Sequence, residues 1–257
     1  MEINRIYNED CLDTMCRMPD NFIDVTITSC PYDNNRKYNG YFFDFENIAK
    51  ELYRTTKVGG VVVWVINDMT INGSESLTSC KQKIYFREEC GFNIHDTMIY
   101  MKPNFSNPSS NRYHQVMEYM FIFSKGKPKT FNPIMDRKNK YGVCWGKNTS
   151  RQVDGTMKER DKNIPREYGM RHNVWLLNTV GQENPCKVQN HPAKFPKSLA
   201  KGHIISWSNL NDIIFDPMVG SGTTCIEAKK IKRNYIGSEI SKEYCKMAEE
   251  GLDSVVV

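Results

Sequence analysis

The sequence predicts an α/β fold, a mostly parallel sheet with helices on both faces, from three observations. Ile23–Thr28 and Val61–Ile66 are short β-branched runs with a helical pattern, Phe45–Thr56, between them. The alternation of strand and helix then continues to residue 124, as crossover connections in a parallel sheet require. Near the end, Asp212 to Thr224 carries an apolar run into an acid, a Gly-Ser-Gly turn and a helix start.

In chain order, Ile3–Tyr7 reads as a strand, and Met15, Met18 and Phe22 suit a brief helix before the strand Ile23–Thr28. Ile48, Leu52 and Tyr53 line one side of the helix Phe45–Thr56, which Gly59-Gly60 breaks before the central strand Val61–Ile66. A helix is expected over Ser76–Glu89 with Leu77, Cys80, Ile84 and Tyr85 facing inward, then strands over Phe92–Met101 and Val116–Ser124. From 125 to 190 no period survives, apart from one short strand at Asn173–Leu177, which marks a functional insert rather than a long loop. A helix Lys197–Trp207, two strands ending at Asp216 and Ser238, and a helix Lys242–Leu252 complete the chain. The last segment supplies only two strands, so the N-terminal strands must complete the sheet and the order is circularly permuted. Residues 1–124 and 191–257 are expected to form one domain, with 125–190 inserted.

Composition narrows the class. With 257 residues, 39% hydrophobic and 25% charged, the chain reads as soluble and globular. Its longest apolar run, Val61–Ile66, is far short of a membrane span, and the first residues carry no signal-peptide pattern. Nine cysteines without a Cys-x-x-Cys pair point to reduced thiols and a cytoplasmic setting, and five scattered histidines predict no metal. The net charge of +5 is uneven: residues 125–190 hold fourteen Lys and Arg against six Asp and Glu. A basic segment in a near-neutral chain suggests a polyanion partner.

The glycine turn is half of a nucleoside-cofactor site. Its backbone N–H groups can approach a ligand, and Glu239, an acid about 20 residues further on at a strand tip, can take a ribose diol. A dinucleotide fingerprint would want a third glycine where Cys225 stands, and no Gly-Lys-Ser/Thr of a P-loop follows Gly222. A Cβ at Gly222 is expected to occupy the ligand's approach. A second motif, Ser29-Cys30-Pro31-Tyr32, lies at the carboxyl end of a strand, where open α/β sheets bind ligands.

Together the two motifs resemble the amino-group DNA methyltransferases that use S-adenosylmethionine, in which an Asp/Asn/Ser-Pro-Pro-Tyr/Phe motif meets a glycine-rich cofactor motif. The order here, catalytic motif, insert, cofactor motif, is similar to the permuted β-type subgroup, and the likeness covers nearly all of the chain outside 125–190. It implies a Rossmann-like sheet with an inserted target-recognition region. It implies that Asp216, Pro217, Gly220, Ser221, Gly222 and Thr223 hold the methionine end of the cofactor, Glu239 the ribose and Asp10 the adenine. Asp10-Cys11-Leu12 resembles the adenine segment, His191–Pro196 the segment near the methionine end, and Glu118–Gly126 the strand before the insert.

In that resemblance Ser29 Oγ and the Cys30 carbonyl accept hydrogen bonds from an exocyclic amine, and Pro31 and Tyr32 complete the motif, Tyr32 stacking on a flipped base. Arg36, Lys37, Tyr38 and Tyr41 are candidates for phosphates or the gap left by the base. Lys127, Lys129, Arg137, Lys138 and Lys140 are candidates for phosphates of double-stranded DNA. Ser at the first position goes more often with N4 of cytosine than with N6 of adenine. The family departure is Cys30, where Pro is usual, so a fixed φ is lost. Some relatives dimerise or act beside a restriction enzyme. The alternatives are an N6-adenine enzyme, an RNA or protein-glutamine methyltransferase, a non-catalytic DNA-binding relative, and a nicotinamide enzyme, the last disfavoured by Cys225.

Overall fold

The computed structural model describes residues 1–31, 43–105, 108–139, 149–159, 166–178 and 196–255. In order these form β1 (Arg5–Tyr7), α1 (Cys11–Cys16), β2 (Ile23–Ser29), α2 (Phe45–Thr55), β3 (Thr56–Ile66), β4 (Thr70–Ile71), β5 (Ser74–Glu75), α3 (Thr78–Glu88), β6 (Asn93–Met101) and β7 (Met117–Ser124). There follow β8 (Arg137–Lys138), β9 (Thr149–Arg151), β10 (Met157–Glu159), β11 (Tyr168–Gly169), β12 (Val174–Leu176), α4 (Lys197–Trp207), β13 (Ile213–Asp216), α5 (Thr223–Lys230), β14 (Asn234–Ser238) and α6 (Lys242–Asp253).

Eight strands make one Rossmann-like sheet in the order β1-β14-β13-β2-β3-β7-β6-β12, in which β7 runs antiparallel to both its neighbours. The permutation is visible at one edge: β1 pairs in parallel with β14, Arg5 opposite Ile236, so the two ends of the chain share a ladder. Every residue from Val61 to Ile66 is buried, as expected of a strand covered on both faces. On one face Val62, Trp64 and Ile66 pack with Met15 of α1, Leu52 of α2 and Phe86 of α3. On the other, α4 lies against β2 and β3, and packs with α5, which in turn packs with α6.

Two details differ from the sequence reading. Gly59-Gly60 does not separate helix from strand; β3 begins at Thr56 and runs through the pair, with an irregularity opposite Ile23 and Val25. In α3 the buried residues are Ser79, Gln82 and Phe86, whereas Leu77 and Ile84 are exposed, a rotation of the face expected from apolar spacing. The rotation is stabilised by polar partners from β3 and from the residues just after it. Asp68 accepts from the Ser79 backbone at 2.9 Å and from its hydroxyl, and Trp64 Nε1 donates to Gln82 Oε1 at 2.8 Å. Buried polar groups so satisfied cost little.

The described residues divide into two compact units, Met1–Asn132 with Asn173–Val257, and Pro133–His172. The short strand expected near Asn173–Leu177 is β12, which belongs to the first unit and pairs in parallel with β6. The second unit, taken by itself, is built of two small antiparallel ribbons, β8 with β11 and β9 with β10. Within it Arg171 clamps Asp136 through Nε and Nη2, which holds that carboxyl below its usual range. No helix among the described residues is long and apolar enough to cross a membrane.

Candidate active site

The carboxyl ends of β2, β13 and β14 lie side by side, which is where a parallel sheet presents loops to a ligand. Ile214 and Phe215 pair with Val25 and Thr26, so Asp216 and Ser29 end adjacent strands. Asp216 is 1% exposed and accepts from the Met218 N–H at 3.1 Å. Burial pushes its carboxyl up to about 6, against the pull of the Thr224 and Thr28 hydroxyls and that N–H. The neighbouring Glu239 charge adds to the rise. A buried acid in this state is suited to a positively charged group on a ligand.

The turn above Asp216 is closed by backbone bonds and by Glu239. Val219 N–H donates to the Ser238 carbonyl at 3.0 Å and Gly222 N–H to the Val219 carbonyl at 3.0 Å. Glu239 accepts from Gly220 N–H at 2.7 Å and from Ser241 N–H at 2.8 Å, one bond to each carboxylate oxygen. A carboxylate offers about four lone-pair sites, which leaves about two for a diol. Burial raises the Glu239 carboxyl, and these two N–H groups oppose the rise.

Gly222 has φ +86, and a Cβ there would meet Ala248 Cβ at 2.8 Å and Ala248 Cα at 3.0 Å. The absent side chain therefore makes room for α6, and the expectation that it would fill the ligand's approach is corrected. Gly237 of β14 has the complementary role: a Cβ on it would run into Val219 and come within 3.1 Å of Cys225 Sγ. The close helix-to-strand contact that a third fingerprint glycine provides is thus supplied here by a glycine on the strand, beneath Cys225.

Pro217 is buried, Ser221 and Thr223 are half-buried, and Thr223 opens α5. Asp10 is the N-cap of α1 and accepts from Leu12 N–H at 2.8 Å. Ser29 is half-buried opposite Val65, and Cys30 is buried. Tyr32, Arg36, Lys37, Tyr38, Tyr41, Lys140 and the stretch from His191 to 195 fall outside the described residues.

The described basic candidates divide between the two units, Lys127 and Lys129 in the first and Arg137 and Lys138 in the second. Lys127 and Lys129 follow the last residue of β7, and Lys129 N–H bonds to the Gly59 carbonyl. Gly59 lies six residues before Val65, the partner of Ser29, or about 20 Å along β3. These two lysines therefore leave the sheet at the end opposite Ser29. Arg137 and Lys138 form β8 in the second unit, both exposed.

Three residues at or below the Ser29 end went unremarked as functional candidates in the sequence. Asp68 anchors α3, Gln82 meets Cys30 and Trp64, and Tyr113 is 100% exposed on the loop joining β6 to β7. No periodic spacing marks them, since Asp68 and Gln82 gain their positions from contacts made in the fold. Among the described residues no three His, Cys, Asp or Glu side chains converge as a metal site would need.

Comparison with known proteins bears on the same residues. A family model described as DNA methylase, of the N6/N4 methyltransferase class, matches residues 23–250. The chain is 52% identical over 240 residues to the orphan methyltransferase M.BamHII of Bacillus amyloliquefaciens, covering 91% of this chain and 90% of that protein. It is 25% identical over 256 residues to the type II methyltransferase M.BglII of Bacillus subtilis, covering 96% and 68% of the two. Among solved structures, the PvuII DNA methyltransferase (cytosine-N4-specific) matches with a TM-score of 0.69 at 20% identity, over 98% of this chain and 87% of that one. The complex of M1.HpyAVI with S-adenosylmethionine matches with a TM-score of 0.61 at 23% identity, over 96% and 98%. At those identities the likeness is one of fold. With the family model matching from β2 into α6, and a relative 52% identical over 91% of this chain, the chain belongs to the N6/N4 family of DNA methylases.

Proposed function

We propose that this chain methylates N4 of cytosine in double-stranded DNA, with S-adenosylmethionine as the methyl donor. The observation that carries the reading is that Ser29 and Asp216 end adjacent parallel strands, which sets an amine acceptor beside a buried, cation-seeking acid. Asp216 would hold the ammonium of the donor, Glu239 the ribose diol with its remaining lone pairs, and the Ser221 N–H at the centre of the Gly220–Gly222 turn the carboxylate end. The donor supplies a methyl on a sulfonium, and the protein's share is position.

Ser29 Oγ and the Cys30 carbonyl would accept from the exocyclic amine, which localises its lone pair towards the methyl. An alcohol does this without any change of protonation. The base has to leave the duplex to arrive there. Ser29, rather than Asp, at the first motif position favours cytosine over adenine. Arg137 and Lys138 of the second unit would serve phosphates, and that unit is the region to which we assign target recognition. The reading includes no restriction enzyme, in keeping with a relative described as an orphan.

Nucleoside mass spectrometry of DNA from cells expressing the protein, beside an empty-vector control, tests the reading. New N4-methylcytosine is expected. New N6-methyladenine instead would overturn the choice of base, and neither product would overturn DNA as the substrate.

A further inference from the structure

Cys30 stands where the resemblance places the first proline of the catalytic motif, so the loop leaving β2 lacks the fixed φ that proline would give. Its thiol is not idle. Cys30 is 2% exposed, with Sγ 3.8 Å from Gln82 Oε1 and 3.9 Å from the Val65 carbonyl. The same Gln82 oxygen accepts the Trp64 indole N–H at 2.8 Å. One buried amide oxygen on α3 therefore gathers a donor from the central strand and a donor from the tip of the neighbouring strand.

The helix that carries Gln82 is itself tied to the tip of β3. Asp68 Oδ1 accepts from the Ser79 backbone at 2.9 Å and from the Ser76 hydroxyl at 3.1 Å. Ser79, Gln82 and Phe86 share the inward face, although apolar spacing alone would have turned Leu77 and Ile84 inward. The polar face is thus the one the fold selects, and it delivers Gln82 to Cys30. A misplacement of about 1 Å in a group that orients a substrate can cost about a hundredfold in rate, so a loop next to the reacting amine needs a restraint of this kind.

We propose that Gln82 is a positioning residue for methyl transfer. It holds Cys30 through the thiol, and thereby sets the Cys30 carbonyl and Ser29 Oγ. Its amide replaces, by a tertiary contact, the local restraint of the missing proline. This deepens the methyltransferase reading and rests on it for the catalytic readout only.

The test uses the full chain and four variants: Gln82→Met, which keeps the volume and removes the acceptor, Gln82→Glu, which keeps an oxygen, Cys30→Ala, and the double variant Gln82→Met with Cys30→Ala. Hydrogen–deuterium exchange at the amides of Thr28, Ser29 and Cys30 reads the end of β2 without reference to activity. Exchange there is expected to rise about tenfold in Gln82→Met and in Cys30→Ala, less in Gln82→Glu, and no further in the double variant, since two residues acting through one contact are not additive. On DNA, kcat should fall about tenfold in both single variants with KM for S-adenosylmethionine within about twofold. Should Gln82→Met fail to fold, Cys30→Ala reads the same contact from its other side. A lowered Tm with unchanged exchange and kcat would assign Gln82 to packing alone and overturn the proposal, as would additive losses in the double variant. If the wild type transferred no methyl to DNA while exchange rose as expected, the substrate reading would fail and the positioning role would stand.

Discussion

Glu239 Oε2 accepts the backbone N–H of Gly220 at 2.7 Å, so the acid at the tip of β14 also shapes the glycine turn that follows β13. One side chain thereby couples the turn after β13 to the neighbouring strand end.

Removing that side chain should have two separable effects. Glu239→Ala leaves the Gly220 and Ser241 N–H groups without their acceptor and should lower stability by about 1–3 kcal/mol. Glu239→Gln keeps one oxygen acceptor and should lose less stability, while weakening S-adenosylmethionine binding about tenfold, because a neutral amide replaces a charged acceptor. Calorimetric unfolding and titration on the same preparations check both. Equal binding by Glu239→Gln and wild type would remove Glu239 from the ligand.

Asp216 makes stability depend on pH. Its folded value of about 6 lies above the unfolded value of about 3.9. The folded protein therefore binds the extra proton between them, and the stability this contributes is full below about pH 4 and lost as pH rises through about 6. Asp216→Asn keeps an oxygen for the Met218 N–H and cannot ionise. Without ligand it should be more stable than wild type at pH 8 by about 3 kcal/mol, with the gap closing towards pH 4. Glu239 shifts in the same direction and its charge adds to the rise at Asp216, so the pH range of the gap belongs to the pair. Denaturant unfolding across that range is the measurement. Cofactor affinity of the wild type should fall as pH drops below about 6.

Gly222→Ala should destabilise by about 1–3 kcal/mol, because the new methyl meets Ala248 in a left-handed backbone. Ala248→Gly in the same chain should recover part of the loss. A wild-type Tm in Gly222→Ala would show that α6 does not press on the turn.

Ser29→Ala should cut methyl transfer about a hundredfold while the cofactor dissociation constant stays within about twofold. Ser29 is half-buried and terminates its strand, so little stability is at stake. Loss of both in parallel would sink the role of Ser29 as acceptor.

The lysines and arginine divide by position. Replacing Arg137 and Lys138 by Ala should lower the slope of log affinity for DNA against log salt by about 1.8, if each meets one phosphate. Replacing Lys127 and Lys129 should leave that slope unchanged, since they lie at the far end of the sheet from Ser29. Salt titrations of binding to one duplex compare the pairs.

Much of this protein is legible in its residues in order. The β-branched run Val61–Ile66, the acid and Gly-Ser-Gly turn after Ile214, and the shortfall of strands after Glu239 determine an α/β sheet, its permuted order and the two motifs at its carboxyl edge. Those features are local: side-chain branching, turn chemistry and period act over a few residues, so a linear reading captures them. Four other features were settled by partners far along the chain. Leu77 and Ile84 turned outward because Asp68 and Trp64 satisfy the polar face of α3. The bare Cα of Gly222 makes room for Ala248, 26 residues on. Lys129 is drawn to Gly59 at the wrong end of the sheet for Ser29. Cys30, which in sequence is only a missing proline, meets Gln82 across 52 residues. The sequence by itself determined which elements form and which chemistry their tips carry. The tertiary structure decided which face each element buries and which groups meet, because burial and hydrogen-bond satisfaction are settled between segments and are invisible to any window along one of them.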